Sequence, residues 1–84
     1  MSGGFFDYNQ FKIERMAEEI ELLLSENTHE YSEETLAELK TGMELLRKAY
    51  IYSNRIDWLL SGDDDQKSFH KRLAEDMGKA NERN

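Results

Sequence analysis

The chain has 84 residues, with 18 Asp and Glu against 11 Lys and Arg, a net charge of −7, no cysteine and no proline. That length holds one small domain and excludes a conventional two-domain enzyme, while the missing cysteines exclude disulfides, thiol redox chemistry and thiolate metal sites. The acidic balance opposes direct contact with nucleic acid, which needs a basic surface, and no apolar run reaches the ~20 residues that cross a bilayer.

No signal-peptide core is visible either, so the sequence reads as that of a soluble, cytoplasmic protein. Composition sets the fold class. Valine is absent, with four isoleucines and three threonines against ten leucines, five alanines, four methionines and twelve glutamates. Strands draw on β-branched residues and helices on the second group, so the expectation is all-α. A single domain over residues 1–84 is expected, with helices at about 8–26, 33–60 and 66–79 and flexible ends at 1–6 and 80–84.

The first six residues form an entry carrying Phe5 and Phe6, and Asp7 is placed to cap the first helix. From there to Glu26, Ile13, Met16, Ala17, Ile20, Leu23 and Leu24 repeat at the spacing of one apolar stripe. Glu14, Glu18 and Glu21 fall together on what reads as the outer face. Phe11 and Leu22 lie off the stripe. Asn27 to Tyr31 reads as a polar turn, after which Ser32 caps the second helix and Glu33 and Glu34 meet the positive end of its dipole.

The second helix ends at Ser61-Gly62, with Gly62 in the left-handed position. At 1.5 Å per residue it is ~42 Å long, which makes it the central element of a helical hairpin. It carries two apolar rows: Leu36, Leu39, Met43, Leu46 and Tyr50, and Leu45, Ala49, Tyr52, Ile56 and Leu59. At 100° per residue the rows stand roughly 130° apart around the axis, and Ile51 and Trp58 lie outside both. One short partner helix cannot cover that much surface, so a dimeric helical bundle is expected, with Ile51, Tyr52, Ile56, Trp58 and Leu59 at its interface. Gly42 reads as the mark of a close helix crossing. Asp63-Asp64-Asp65 then caps a short third helix whose thin stripe is Phe69, Leu73, Met77 and Ala80.

Candidate chemistry is sparse. Glu26-Asn27-Thr28-His29 has the Glu-x-x-His spacing of carboxylate-bridged di-iron bundles, but those need two copies inside a bundle core and here one sits in a turn. The aspartate run lacks the glycine and glutamate that a calcium loop needs at its sixth and twelfth positions. His29 and His70 stand near no serine-aspartate constellation. No enzyme activity, metal or cofactor is expected.

Charge and aromatics suggest binding instead. Residues 1–42 hold ten acids and three bases, and residues 43–84 eight of each, so the whole net charge lies in the first half. Glu14, Glu18 and Glu21, with the N-terminal Phe5 and Phe6, are the candidate surface for a basic protein partner.

The segments Gly3-Gly4-Phe5-Phe6-Asp7-Tyr8 and Arg55-Ile56-Asp57-Trp58-Leu59-Leu60-Ser61-Gly62-Asp63-Asp64 also resemble a group of short uncharacterised bacterial and phage proteins. Asp65-Gln66-Lys67 departs from the Gly-Glu-Glu expected there. The group carries no assigned activity, so the resemblance implies only a mobile-element or accessory setting. The function expected is a small acidic helical adaptor or regulator acting as a homodimer. The alternative is a phage or mobile-element inhibitor whose acidic face blocks a nucleic-acid-binding protein.

Overall fold

The structure is a computed structural model that describes residues 4–26 and 30–82, without the side chains of residues 81 and 82. Among the described residues all regular structure is helical: α1 is Gln10–Glu26, α2 Glu33–Leu60 and α3 Gln66–Glu82. Helix α2 is the spine. Helix α1 packs along one flank of it and α3 along another, and α1 and α3 share no packed face with each other.

The caps explain where the helices stop and start. Ser32 has extended backbone and its hydroxyl accepts the Thr35 N–H at 3.3 Å, so α2 begins as expected. At the far end the Gly62 N–H donates to the Leu59 carbonyl and the Asp63 N–H to the Trp58 carbonyl, at 3.2 and 2.9 Å. That crossed pair is a Schellman motif, and Gly62 supplies its left-handed residue at φ 84°. Asp65 and Ser68 then cap α3 reciprocally: the Ser68 N–H donates to Asp65 Oδ1 at 2.8 Å and the Asp65 N–H to Ser68 Oγ at 3.2 Å.

The Ser68 N–H, and after it the Ser68 hydroxyl at 3.0 Å from Asp65 Oδ1, bond the exposed Asp65 carboxylate and hold it below its ordinary value. A depressed folded-state pKa stabilises above the unfolded value and loses that stabilisation as pH falls through the depressed one. The amide resonance of Ser68 should therefore shift, and α3 fray from its start, as pH drops below ~4. In an Asp65→Asn variant that titration should vanish; its persistence would place the cap elsewhere.

Three boundaries differ from the sequence expectation. Helix α1 starts at Gln10 rather than 8, and Asp7 is not its cap, because Asp7 and Tyr8 both adopt left-handed backbone (φ 54° and 65°) where an N-cap is extended. Phe5 and Phe6 of the expected flexible entry are held by hydrogen bonds to Ser61, the C-cap of α2, and to Asp57. Helix α3 continues to Glu82 instead of ending at 79.

The core is thin. Ala17 (1% exposed) and Met43 are the buried apolar residues among those described, and no large side chain is fully buried. Phe69, Leu73, Met77 and Ala80 are half-buried, as the stripe of α3 predicts. The molecule measures 46 × 25 × 14 Å, with a radius of gyration of 15.1 Å against ~12 Å for a compact domain of this length. It exposes 6225 Å², where a globular monomer of its mass exposes about 5,200 Å².

Candidate functional site

Helix α1 runs antiparallel to α2, pairing Gln10 with Asn54 at one end and Glu21 with Arg47 at the other. With α3 on a separate flank, a trough opens between α1 and α3 whose floor is α2. It is a groove of about 330 Å³ that gathers Glu14, Glu18 and Glu21 from α1, Arg47, Tyr50 and Asn54 from α2, and Asp76 and Lys79 from α3. The three glutamates expected on an outer face therefore flank an interhelical groove, because they lie one step around α1 from Ala17 and point past α2 toward α3.

Charge in this groove is only partly compensated. Arg47 Nη2 meets Glu21 Oε1 at 2.7 Å, and Asp76 Oδ2 is taken by Arg55 Nε at 3.0 Å. Glu14 and Glu18 form no ion pair among the described residues. Burial pushes the Tyr50 phenol above its ordinary value, and the neighbouring charges of Glu14, Asp76 and Glu18 push the same way against Arg55. Such a groove suits a cationic side chain. Among the described residues no group of three or more metal-ligating side chains converges.

A second construction sits where the N-terminal turn crosses the end of α2. The Phe6 N–H donates to Asp57 Oδ1 at 2.7 Å and the Phe5 N–H to Ser61 Oγ at 2.8 Å. Asp57 is 7% exposed. Gly4, at φ 69°, passes so close that a Cβ there would stand 2.7 Å from Asp57 Oδ2. Two side chains one helical turn apart thus grip two successive backbone N–H groups, and only glycine can precede them. The segments that carry the sequence resemblance meet at this latch.

The candidate partner surface is divided by the fold. Phe5 stands exposed at the latch with its ring edge-on to Phe6 at 5.3 Å. Phe6 lines a smaller groove of about 170 Å³ with Asn9, Gln10, Ile13 and Ser53. Neither phenylalanine joins Glu14, Glu18 and Glu21.

The candidate dimer interface is divided too. Ile51 lines the acidic groove beside α3, and the Trp58 ring lies under two guanidiniums, Arg55 at 4.9 Å and Arg72 of α3 at 5.9 Å. Ile51 thus sits beside α3, and Trp58, capped on the α3 side by Arg72, still keeps 37% of its surface exposed. Tyr52 stays 46% exposed, and Ile56 and Leu59 are half-buried. Gly42 marks no close crossing within the chain, since a Cβ there meets nothing within 4 Å.

Asp57 escaped the sequence reading, although a signal was present. It stands seven residues after Tyr50, where the row facing α1 should be apolar, and a carboxylate in a core row needs donors. Of the Glu-x-x-His copy, Glu26 ends α1, while residues 27–29, His29 among them, lie outside the described residues. Among the described residues no helix is long and apolar enough to cross a membrane. No family model, no curated protein and no solved structure matches this chain.

Proposed function

We propose that this chain is a small helical protein-interaction module that acts as a homodimer and offers its acidic groove to a basic protein partner. One observation carries the reading: α2 has packed neighbours on two flanks, while Leu45, Tyr52 and Leu60 on the rest stay 61%, 46% and 51% exposed. A helix apolar on a face that its own chain leaves bare calls for a further neighbour. The test is sedimentation equilibrium, where the expected mass is twice 9.9 kDa at micromolar concentration. A single species of 9.9 kDa there removes the homodimer.

The groove supports the second half of the proposal. An oligo-lysine peptide should bind it and weaken as salt rises from about 50 to 300 mM, because the Debye length shrinks toward atomic separations. Reversing Glu14, Glu18 and Glu21 to lysine should abolish that binding. Unchanged binding would leave the glutamates as solvated surface and move attention to Phe5. If the natural partner is itself a nucleic-acid-binding protein, DNA or RNA will compete with the module for it, which is the inhibitor form of the proposal.

A further inference from the structure

We infer that the bare face of α2 is a coiled-coil seam for a second copy of this chain, packed antiparallel about a two-fold axis between Tyr50 and Ile51. The inference rests on the homodimer proposed above and names the surface and the register. Along α2, Gly42, Leu45, Ala49, Tyr52, Ile56 and Leu59 alternate at steps of three and four. That is the a/d repeat of a coiled coil, sustained over ~26 Å of helix at 1.5 Å per residue.

Charge respects the seam. The five charged residues between Thr41 and Leu60 are Glu44, Arg47, Lys48, Arg55 and Asp57; at 100° per residue Glu44, Arg47, Arg55 and Asp57 lie about 90° or more from the centre of the seam, while Lys48 stands at its edge, about 20° from Leu59. Away from the seam Arg47 pairs with α1, Arg55 with α3, and Asp57 with the N-terminal turn. The centre of the seam is uncharged and open: Leu45, Ala49 and Tyr52 are exposed, and nothing stands within 4 Å of a Cβ at Gly42. The surplus of surface over a globular monomer, ~1,000 Å², is close to the ~800 Å² that each partner of a standard interface buries.

Direction follows from side-chain size. An isologous antiparallel pairing sets Gly42 against the partner's Leu59, Leu45 against the partner's Ile56, and Ala49 against the partner's Tyr52. The two small residues each meet a large one, which fills a seam evenly. A parallel pairing would oppose glycine to glycine and alanine to alanine, leaving voids, and tyrosine to tyrosine, crowding the layer between. Arg55, beside the antiparallel seam, is already paired with Asp76, and Lys48 at the seam's edge is the one charge that the pairing must turn outward to solvent.

Because the native chain has no cysteine, disulfide trapping tests the register directly. Leu45→Cys and Ile56→Cys proteins, mixed and mildly oxidised, should form a covalent heterodimer. Leu45→Cys alone should not self-link, because its two copies would stand ~16 Å apart along the axis, beyond the ~7 Å that a disulfide spans. Self-linking of Leu45→Cys, or a dimer in which neither combination links, would overturn the register and leave the homodimer standing. Ala49→Glu supplies the complementary measurement. It buries an unpaired charge at the seam centre while leaving the helical circular dichroism of the monomer intact, so the dimer Kd should rise at least ~100-fold. A dimer of unchanged Kd would overturn the seam itself, and a native chain that sediments as a monomer would remove the seam and the homodimer together.

Discussion

Met43→Ala should lower stability by about 2–4 kcal/mol, the usual cost of truncating a buried methionine. Met43 sits in the α2 row that faces α1, and with Ala17 it makes up the buried apolar core of the described chain. Small domains retain only ~5 kcal/mol or so of net stability, so this one side chain decides whether the hairpin persists at physiological temperature. Urea denaturation followed by circular dichroism measures it. Leu45→Ala, on the bare side of the same helix, is the contrast: at concentrations that keep the chain monomeric it should change the midpoint little. Equal effects for the two substitutions would mean that α1 does not occupy the Met43 face.

Asp57→Ala should cost about 2 kcal/mol and release the N-terminal turn. The carboxylate is nearly inaccessible, and removing it leaves the Phe6 N–H without its acceptor. Hydrogen bonds to a charged group contribute ~1.5–3 kcal/mol, and an orphaned buried donor adds its own desolvation cost. Asp57→Asn keeps one acceptor oxygen and should fall between. The specific readout is hydrogen exchange at the Phe6 amide, which should lose protection in the alanine variant. A Phe6 amide that exchanges at the native rate in Asp57→Ala would dismiss the latch. Gly4→Ala should mimic the loss, because φ 69° and the approach to Asp57 Oδ2 both exclude a Cβ.

These two sites also show how far the sequence could be read. Helix α2 was legible from Ser32 to Gly62, because its cap, its acidic first turn and its left-handed stop are local chemistry. The stripe of α3 was legible for the same reason. Helix α1 was misjudged at its start, since a capping aspartate and an aspartate in left-handed backbone look identical in one dimension. The turn that carries Asp7 and Tyr8 is closed locally by the Asn9 N–H on the Phe6 carbonyl, and it is anchored by the contact of Gly4, Phe5 and Phe6 with Asp57 and Ser61, more than fifty residues away.

By itself the sequence determined an all-helical chain, the two heptad rows of its central helix, and the concentration of negative charge in its first half. Periodicity and composition carry those properties along the chain, and no partner is needed to read them. The tertiary structure alone decided which row meets which neighbour. It set Glu14, Glu18 and Glu21 along a groove, placed Ile51 and Trp58 beside α3, and left the row from Gly42 to Leu59 without a neighbouring helix. Helical periodicity says which residues share a face but not what that face meets, because the direction in which a short loop returns the chain depends on caps, turns and side-chain volumes acting between distant segments.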